Sequence, residues 1–219
     1  MSYRVVEERR EFLPAAGRDL FLPLYDPFVS LIGGDRARRA LVNQANIQPG
    51  QRMLDIGCGT GTLVVLLKRL YSDINVVGLD PDPKALKRAK AKAERARVPV
   101  KLDQGFGDKL VYQQGTFDRV FSSFMFHHLE EQNREQTLSE VFRVLNTGGS
   151  FHLLDFAGGH GSHGLHARLF HSSERLKDNS VERMLELMKR AGFKQAKKTS
   201  DGSMLFGLLR TAYYEGSKY

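Results

Sequence analysis

The residues best placed for chemistry are Asp55, Gly57, Gly59 and Gly61, in the run Met53-Leu54-Asp55-Ile56-Gly57-Cys58-Gly59-Thr60-Gly61-Thr62. The apolar residues before them read as the end of a strand, and Leu63 to Leu70 after them as an apolar helix. A strand that turns through glycines into a helix lets a ligand approach the backbone closely, at the positive end of the helix dipole. The dinucleotide fingerprint, G-x-G-x-x-G, sets its third glycine one residue later than this G-x-G-x-G. That offset, with the acid two residues ahead of the first glycine, separates two cofactor classes and disfavours a nicotinamide-dependent oxidoreductase.

A second acid stands about twenty residues further on, at the end of Val76-Val77-Gly78-Leu79-Asp80, where a carboxylate can accept both hydroxyls of a ribose. His127 and His128 follow the strand-like run 117–122. An imidazole titrates near neutral pH, so either is a candidate general base, and either could instead cap a helix or support its loop. His160, His163, His166 and His171 are spaced along a glycine-rich stretch. Their spacing invites a metal, but no cysteine and few acids accompany them, so no metal site is assigned. Cys58 is the sole cysteine. It forms no internal disulfide, and its small size between two glycines is expected to matter more than its thiol.

The elements that must position these groups alternate. Strands are expected at Arg52–Ile56, 75–79, 100–104, 117–122 and 150–156, with helices at 61–71, Pro83–Ala96 and 135–145 between them. Such βαβ repetition implies a parallel sheet with helices on both faces, right-handed crossovers, and ligands at the carboxyl ends of the strands. Residues 35–43 read as a helix with Arg36, Arg38 and Arg39 exposed. Near the C-terminus a helix at 181–191 precedes a hairpin of 193–198 and 204–211, turning at Ser200-Asp201-Gly202-Ser203, and residues 213–219 read as a loose tail.

The 219 residues suit one domain, with 33 Lys+Arg against 25 Asp+Glu for a net charge of +8. Lys84, Lys87, Arg88, Lys90, Lys92 and Arg95 crowd the expected helix at Pro83–Ala96, with Arg97 just after it. It reads as a solvated outer face that also admits contact with an anionic membrane surface. No aromatic residues interleave it as a single-strand nucleic-acid platform requires, so nucleic acid is not the expected partner. No apolar run is long enough to span a membrane, and the N-terminus lacks a signal-peptide core. These features point to a cytoplasmic protein, with peripheral membrane contact open. Monomer and homodimer both remain open.

Residues 54–62 resemble the first motif of class I S-adenosylmethionine (SAM) methyltransferases, and the similarity continues in order to about Ala157. Asp80 matches the ribose-binding acid, the 117–129 region the fourth strand and the segment after it, and 138–149 the helix and turn before the fifth strand. Within that family the chain resembles the small-molecule, quinone-biosynthesis and phospholipid methyltransferases, the methyltransferase type 11/25 group. The resemblance implies a Rossmann-like seven-stranded sheet, mostly parallel with an antiparallel C-terminal hairpin, helices on both faces and an N-terminal helical cap. One domain over 1–219 is then divided into a cap (1–46), a SAM-binding core (47–157), a lid-like insertion carrying the four histidines (158–180) and a C-terminal helix and hairpin (181–219).

The implied cofactor residues are Asp55, which holds the cofactor ammonium or a water bridging to it, Gly57, Cys58, Gly59, Gly61, Asp80, Pro81, Gly105, Phe106 and Ser122. Phe106 stands where many relatives carry an acid that binds the adenine amino group, a departure that bears on adenine recognition. His127, His128 and Tyr25 are the candidates beside the acceptor. The expected activity moves a methyl from SAM, leaving S-adenosylhomocysteine (SAH), to a small or lipid-like acceptor through oxygen, nitrogen or carbon. A non-catalytic SAM-binding partner protein and an RNA methyltransferase are the alternatives.

Overall fold

The computed structural model describes residues 31–157, 180–205 and 207–219. The elements are α1 (Gly34–Asn43), β1 (Arg52–Ile56), α2 (Thr62–Leu70), β2 (Asn75–Asp80), α3 (Pro83–Ala96), β3 (Lys101–Gln104), β4 (Phe117–Ser123), a 3-10 turn (Phe126–His128), α4 (Glu131–Val144), β5 (Leu145–Phe156), α5 (Val181–Arg190), β6 (Lys197–Met204) and β7 (Leu209–Ser217). The seven strands form one sheet in the order β3-β2-β1-β4-β5-β7-β6. All pairs are parallel except β5–β7 and β7–β6. Strand order reverses beside β1, so the carboxyl ends of β1, β2 and β4 open a crevice.

Side chains alternate across each strand, which divides the core in two. Met53, Phe121, Leu154 and Tyr213 face the layer containing α1 and α2. Their neighbours Leu54, Val120, Leu153 and Tyr214 face the layer containing α4 and α5. Ala85, Ala89 and Ala93 form the buried stripe of α3. That stripe lets α3 approach the start of α2: a Cβ on Gly61, whose φ is +77°, would lie 2.7 Å from the Ala89 Cβ. Asp82 caps α3 by accepting from the Lys84 N–H (2.8 Å), and Pro83 occupies the first turn.

Several sequence expectations shift. The C-terminal hairpin reverses between Met204 and Leu209, with positive φ at Leu205 and Gly207, while Ser200 to Ser203 lie within β6. Their polarity suggested a turn, but β6 is an exposed edge strand where polar residues and lysines are tolerated. Residues 213–217 are not a loose tail: they belong to β7, between β5 and β6, and Tyr214 is fully enclosed. Arg38 is buried, not exposed, on the α1 face shared with Ala37, Leu41 and Val42. Helix α4 starts at Glu131, and β5 begins at Leu145 with a register irregularity opposite 117–119. Most of the expected N-terminal cap, including Tyr25, and the lid with His160, His163, His166 and His171 lie outside the described residues. No helix among the described residues is long and apolar enough to cross a membrane.

The buried position of β7 has a measurable consequence. Tyr214→Ala should lower unfolding free energy by about 3–5 kcal/mol in urea titration, as expected for an enclosed aromatic. A loss below about 1 kcal/mol, the range of surface changes, would mean that β7 does not complete the core.

Candidate active site

Where β1, β2 and β4 end, a cavity of about 680 Å³ opens. Its floor is the turn from β1 into α2. Gly57 has φ +69°, and a Cβ there would meet the Met125 side chain at 2.4 Å, so only glycine fits between the strand end and the segment after β4. Gly57, Cys58 and Gly59 line the cavity; Gly61 lies behind it, against α3. Burial raises the Cys58 thiol well above its ordinary pKa, with the nearby Asp55 and Asp80 charges acting in the same direction. It stays protonated, a small filler and not a nucleophile.

Asp80 ends β2 with its carboxylate tied to the glycine turn. Oδ2 accepts from the Gly59 N–H (2.8 Å) and Oδ1 from the Asp82 N–H (2.9 Å). Burial raises its pKa, opposed by those two hydrogen bonds. Each oxygen retains acceptor capacity toward the cavity that Asp80 lines. Pro81 and Asp82 continue this wall, and Asp82 Oδ2 is buried without a hydrogen-bond partner.

Asp55 is fully enclosed just behind the cavity surface, and neither of its carboxylate oxygens has a hydrogen-bond partner. Burial pushes its pKa up to about 8; the Arg38 charge pulls against that shift and Asp80 adds to it. Arg38 reaches the cavity from α1, with its guanidinium 5.3 Å from the centre of the Phe124 ring and 3.9 Å from the Asp35 carboxylate. A cation and an unpartnered carboxylate therefore stand together at one end of the crevice. At the other end Gly105, Phe106 and Asp108 form a wall where an apolar ring can lie.

The segment after β4 forms the far side. Ser122 does not line the cavity: it is fully buried and its hydroxyl donates to the Ile56 carbonyl (2.9 Å), joining β4 to β1. Ser123, Phe124 and Met125 line the cavity instead. His128 lines it too, beside polar residues at the start of α4, among them Glu130, Gln132 and Asn133. His127 points away, with Nδ1 2.6 Å from Asp155 Oδ1 and its N–H donating to Asp155 Oδ2 (2.8 Å). Burial favours protonating Asp155, but the His127 charge and three hydrogen bonds outweigh it and hold the carboxyl below its usual range. His152 lies away from the cavity, between Gln44 and Ser150; burial pushes its pKa down to about 3.

Arg38 lines the cavity although the sequence suggested an exposed side chain. A signal was present: counted at helical spacing, it falls on the same face as Leu41 and Val42.

Residues 53–149 match the family model described as a methyltransferase domain. An uncharacterized methyltransferase of Synechocystis sp. is 37% identical over 123 residues, covering 56% of this chain and 55% of that protein. A demethylmenaquinone methyltransferase of Deinococcus radiodurans is 34% identical over 137 residues, covering 61% of this chain and 56% of its own. The chain thus spans about half the length of these curated relatives. Among solved structures, a Haemonchus contortus phosphoethanolamine N-methyltransferase 2 in complex with SAM superposes with TM-score 0.74 at 18% identity, over 93% of this chain and 58% of that one, a shared fold.

Asp55 makes the ligand-free protein respond to pH. Its folded pKa of about 8 lies above the ordinary 3.8. Its contribution to stability is full below about pH 4 and is lost as pH rises through 8, because the unfolded state releases the proton first. Across that interval, urea stability of wild type should fall relative to Asp55→Asn. Parallel pH profiles would refute the raised pKa.

Proposed function

We propose that the chain, whose residues 53–149 form a methyltransferase domain within the class I fold, is an enzyme that moves a methyl group from SAM to a small-molecule or lipid-like acceptor. The observation that carries this reading is the set of buried, unpartnered carboxylate oxygens of Asp55 and Asp82 beside Asp80, at the ends of adjacent strands. Such groups are costly in a folded chain unless a ligand supplies donors.

The residues present suit SAM. Asp80 can accept the ribose hydroxyls, and Asp55 can take the ammonium directly or through a water. Arg38, which lines the cavity and whose charge acts on Asp55, can pair with the carboxylate. Phe106 and Pro81 offer apolar walls to the adenine, and backbone groups at 105–107 can replace the missing acid. Bound SAM supplies an electrophilic methyl on a sulfonium. The chain's part is to hold the reactants in line, exclude water and, for an acceptor bearing a proton, take that proton on an imidazole.

The acceptor class draws on the relatives. They are named for demethylmenaquinone, for sterol 24-C methylation in Saccharomyces cerevisiae and for cyclopropane-fatty-acyl-phospholipid synthesis in Escherichia coli. Lys84, Lys87, Lys90, Arg95 and Arg97 are exposed on or just after α3, which starts at the cavity wall. That charge favours approach to an anionic lipid surface. A non-catalytic SAM-binding role is the second reading, prompted by Phe106.

Calorimetry with SAM and SAH tests both readings. Wild type should bind, and Asp80→Ala should weaken SAH by about 30-fold or more, the effect of losing two hydrogen bonds to a charged acceptor. Failure of well-folded wild type to bind either ligand would sink the enzyme reading. Binding without turnover of quinol precursors, sterols or phospholipids would favour the second.

A proton should also leave on binding. Asp55 holds one at pH 7, below its pKa of about 8, and gives it up when an ammonium arrives. The SAH binding enthalpy at pH 7 should therefore vary with the ionisation enthalpy of the buffer, and this dependence should vanish in Asp55→Asn.

A further inference from the structure

The turn that follows β4 is gripped by two charged side chains that solvent barely reaches. Asp155, at the end of β5, is fully buried and Arg134, on α4, is 2% exposed. Asp155 spends its carboxylate on three donors: the His127 N–H (2.8 Å), the His127 ring Nδ1 (2.6 Å) and the Phe156 N–H (2.7 Å). Arg134 Nε donates to the carbonyls of Phe126 and Leu129, both at 3.0 Å. One carboxylate and one guanidinium thus hold the donor and acceptor sides of the same short turn.

The ring of His127 is held in turn. It packs edge-on against Phe156, with centroids 5.0 Å apart, and lies 3.9 Å from the ring of His128. His128 is the imidazole of this pair that lines the cavity. Buried charges are expensive, so their use on a three-residue 3-10 turn calls for a result that apolar packing would not give. Apolar packing could close the turn, but it fixes orientation less sharply than a bidentate acceptor does.

We propose that Asp155, acting through His127, is a positioning residue that aims the imidazole of His128 into the cavity. The assignment rests on the reading that this cavity holds SAM. His128 is then the imidazole on the acceptor's side, and His127 is its support. Neither Asp155 nor His127 touches the cavity, so both act through another residue.

The test uses the whole chain labelled with 15N-histidine, with SAH as the probe. In wild type, the His128 ring resonances should shift on adding SAH, and the His127 ring N–H should give a protected, downfield signal. Asp155→Asn and His127→Leu should remain folded and bind SAH within about threefold of wild type, because neither side chain lines the cavity. Both should lose the SAH response of His128. His127→Asn places an amide N–H close to where Nδ1 stood and should restore that response.

An unchanged His128 response in Asp155→Asn, or equal behaviour of His127→Leu and His127→Asn, would overturn the proposal. So would loss of SAH affinity in step with loss of stability, since that is what a purely structural clamp gives. If wild type itself binds no SAH, the cofactor reading fails first. The role of His128 falls with it, while the His127 ring signal still reports whether Asp155 holds the turn.

Discussion

A carboxylate sealed from water without a hydrogen-bond partner costs several kcal/mol, and a fold keeps one only if the surrounding structure leaves it no alternative. Asp55 is held in this way. It is the last residue but one of β1, an interior strand paired on both sides with β2 and β4. Its neighbours Leu54 and Ile56 face one core and Met53 the other. With the flanking residues locked by packing and by the ladder, Asp55 cannot swing out to solvent. Raising its pKa is the relief left to it. The two-sided core is what makes such a site tolerable.

Much of this arrangement can be read in the residues. The run from Met53 to Thr62 joins an apolar strand, a spaced set of glycines and an apolar helix, and each part demands the next. The bounds of α3 are plain because Asp82 caps it, Pro83 starts it and its alanines recur at helical spacing. Asp80 follows from its place at the end of an apolar strand. In all these cases local preference and tertiary role agree.

The less legible parts depend on contacts distant in sequence. Ser122 and Ser123 are adjacent and chemically alike, and only the alternation of β4 decides which of them meets the cavity. His127 and His128 are a similar pair, separated by Asp155 from the end of another strand. The polar run Ser200 to Ser203 has every local mark of a turn, yet it pairs with β7 as an edge strand. The tyrosines after residue 212 look like the start of a tail until β5 and β6 are seen on either side. Arginine is so commonly exposed that helical periodicity alone carried too little weight to place Arg38 inside.

The small side chains of α3 separate what the protein can vary from what it must keep. Ala89 lies where any larger group would press on Gly61 and displace the turn that forms the cavity floor. The opposite face of the same helix is exposed and carries Lys84, Lys87, Lys90 and Arg95. Along a lineage, that outer face can drift from basic to neutral or acidic without moving an atom of the crevice. Affinity for a surface, or for no surface, can thus be retuned independently of the chemistry within.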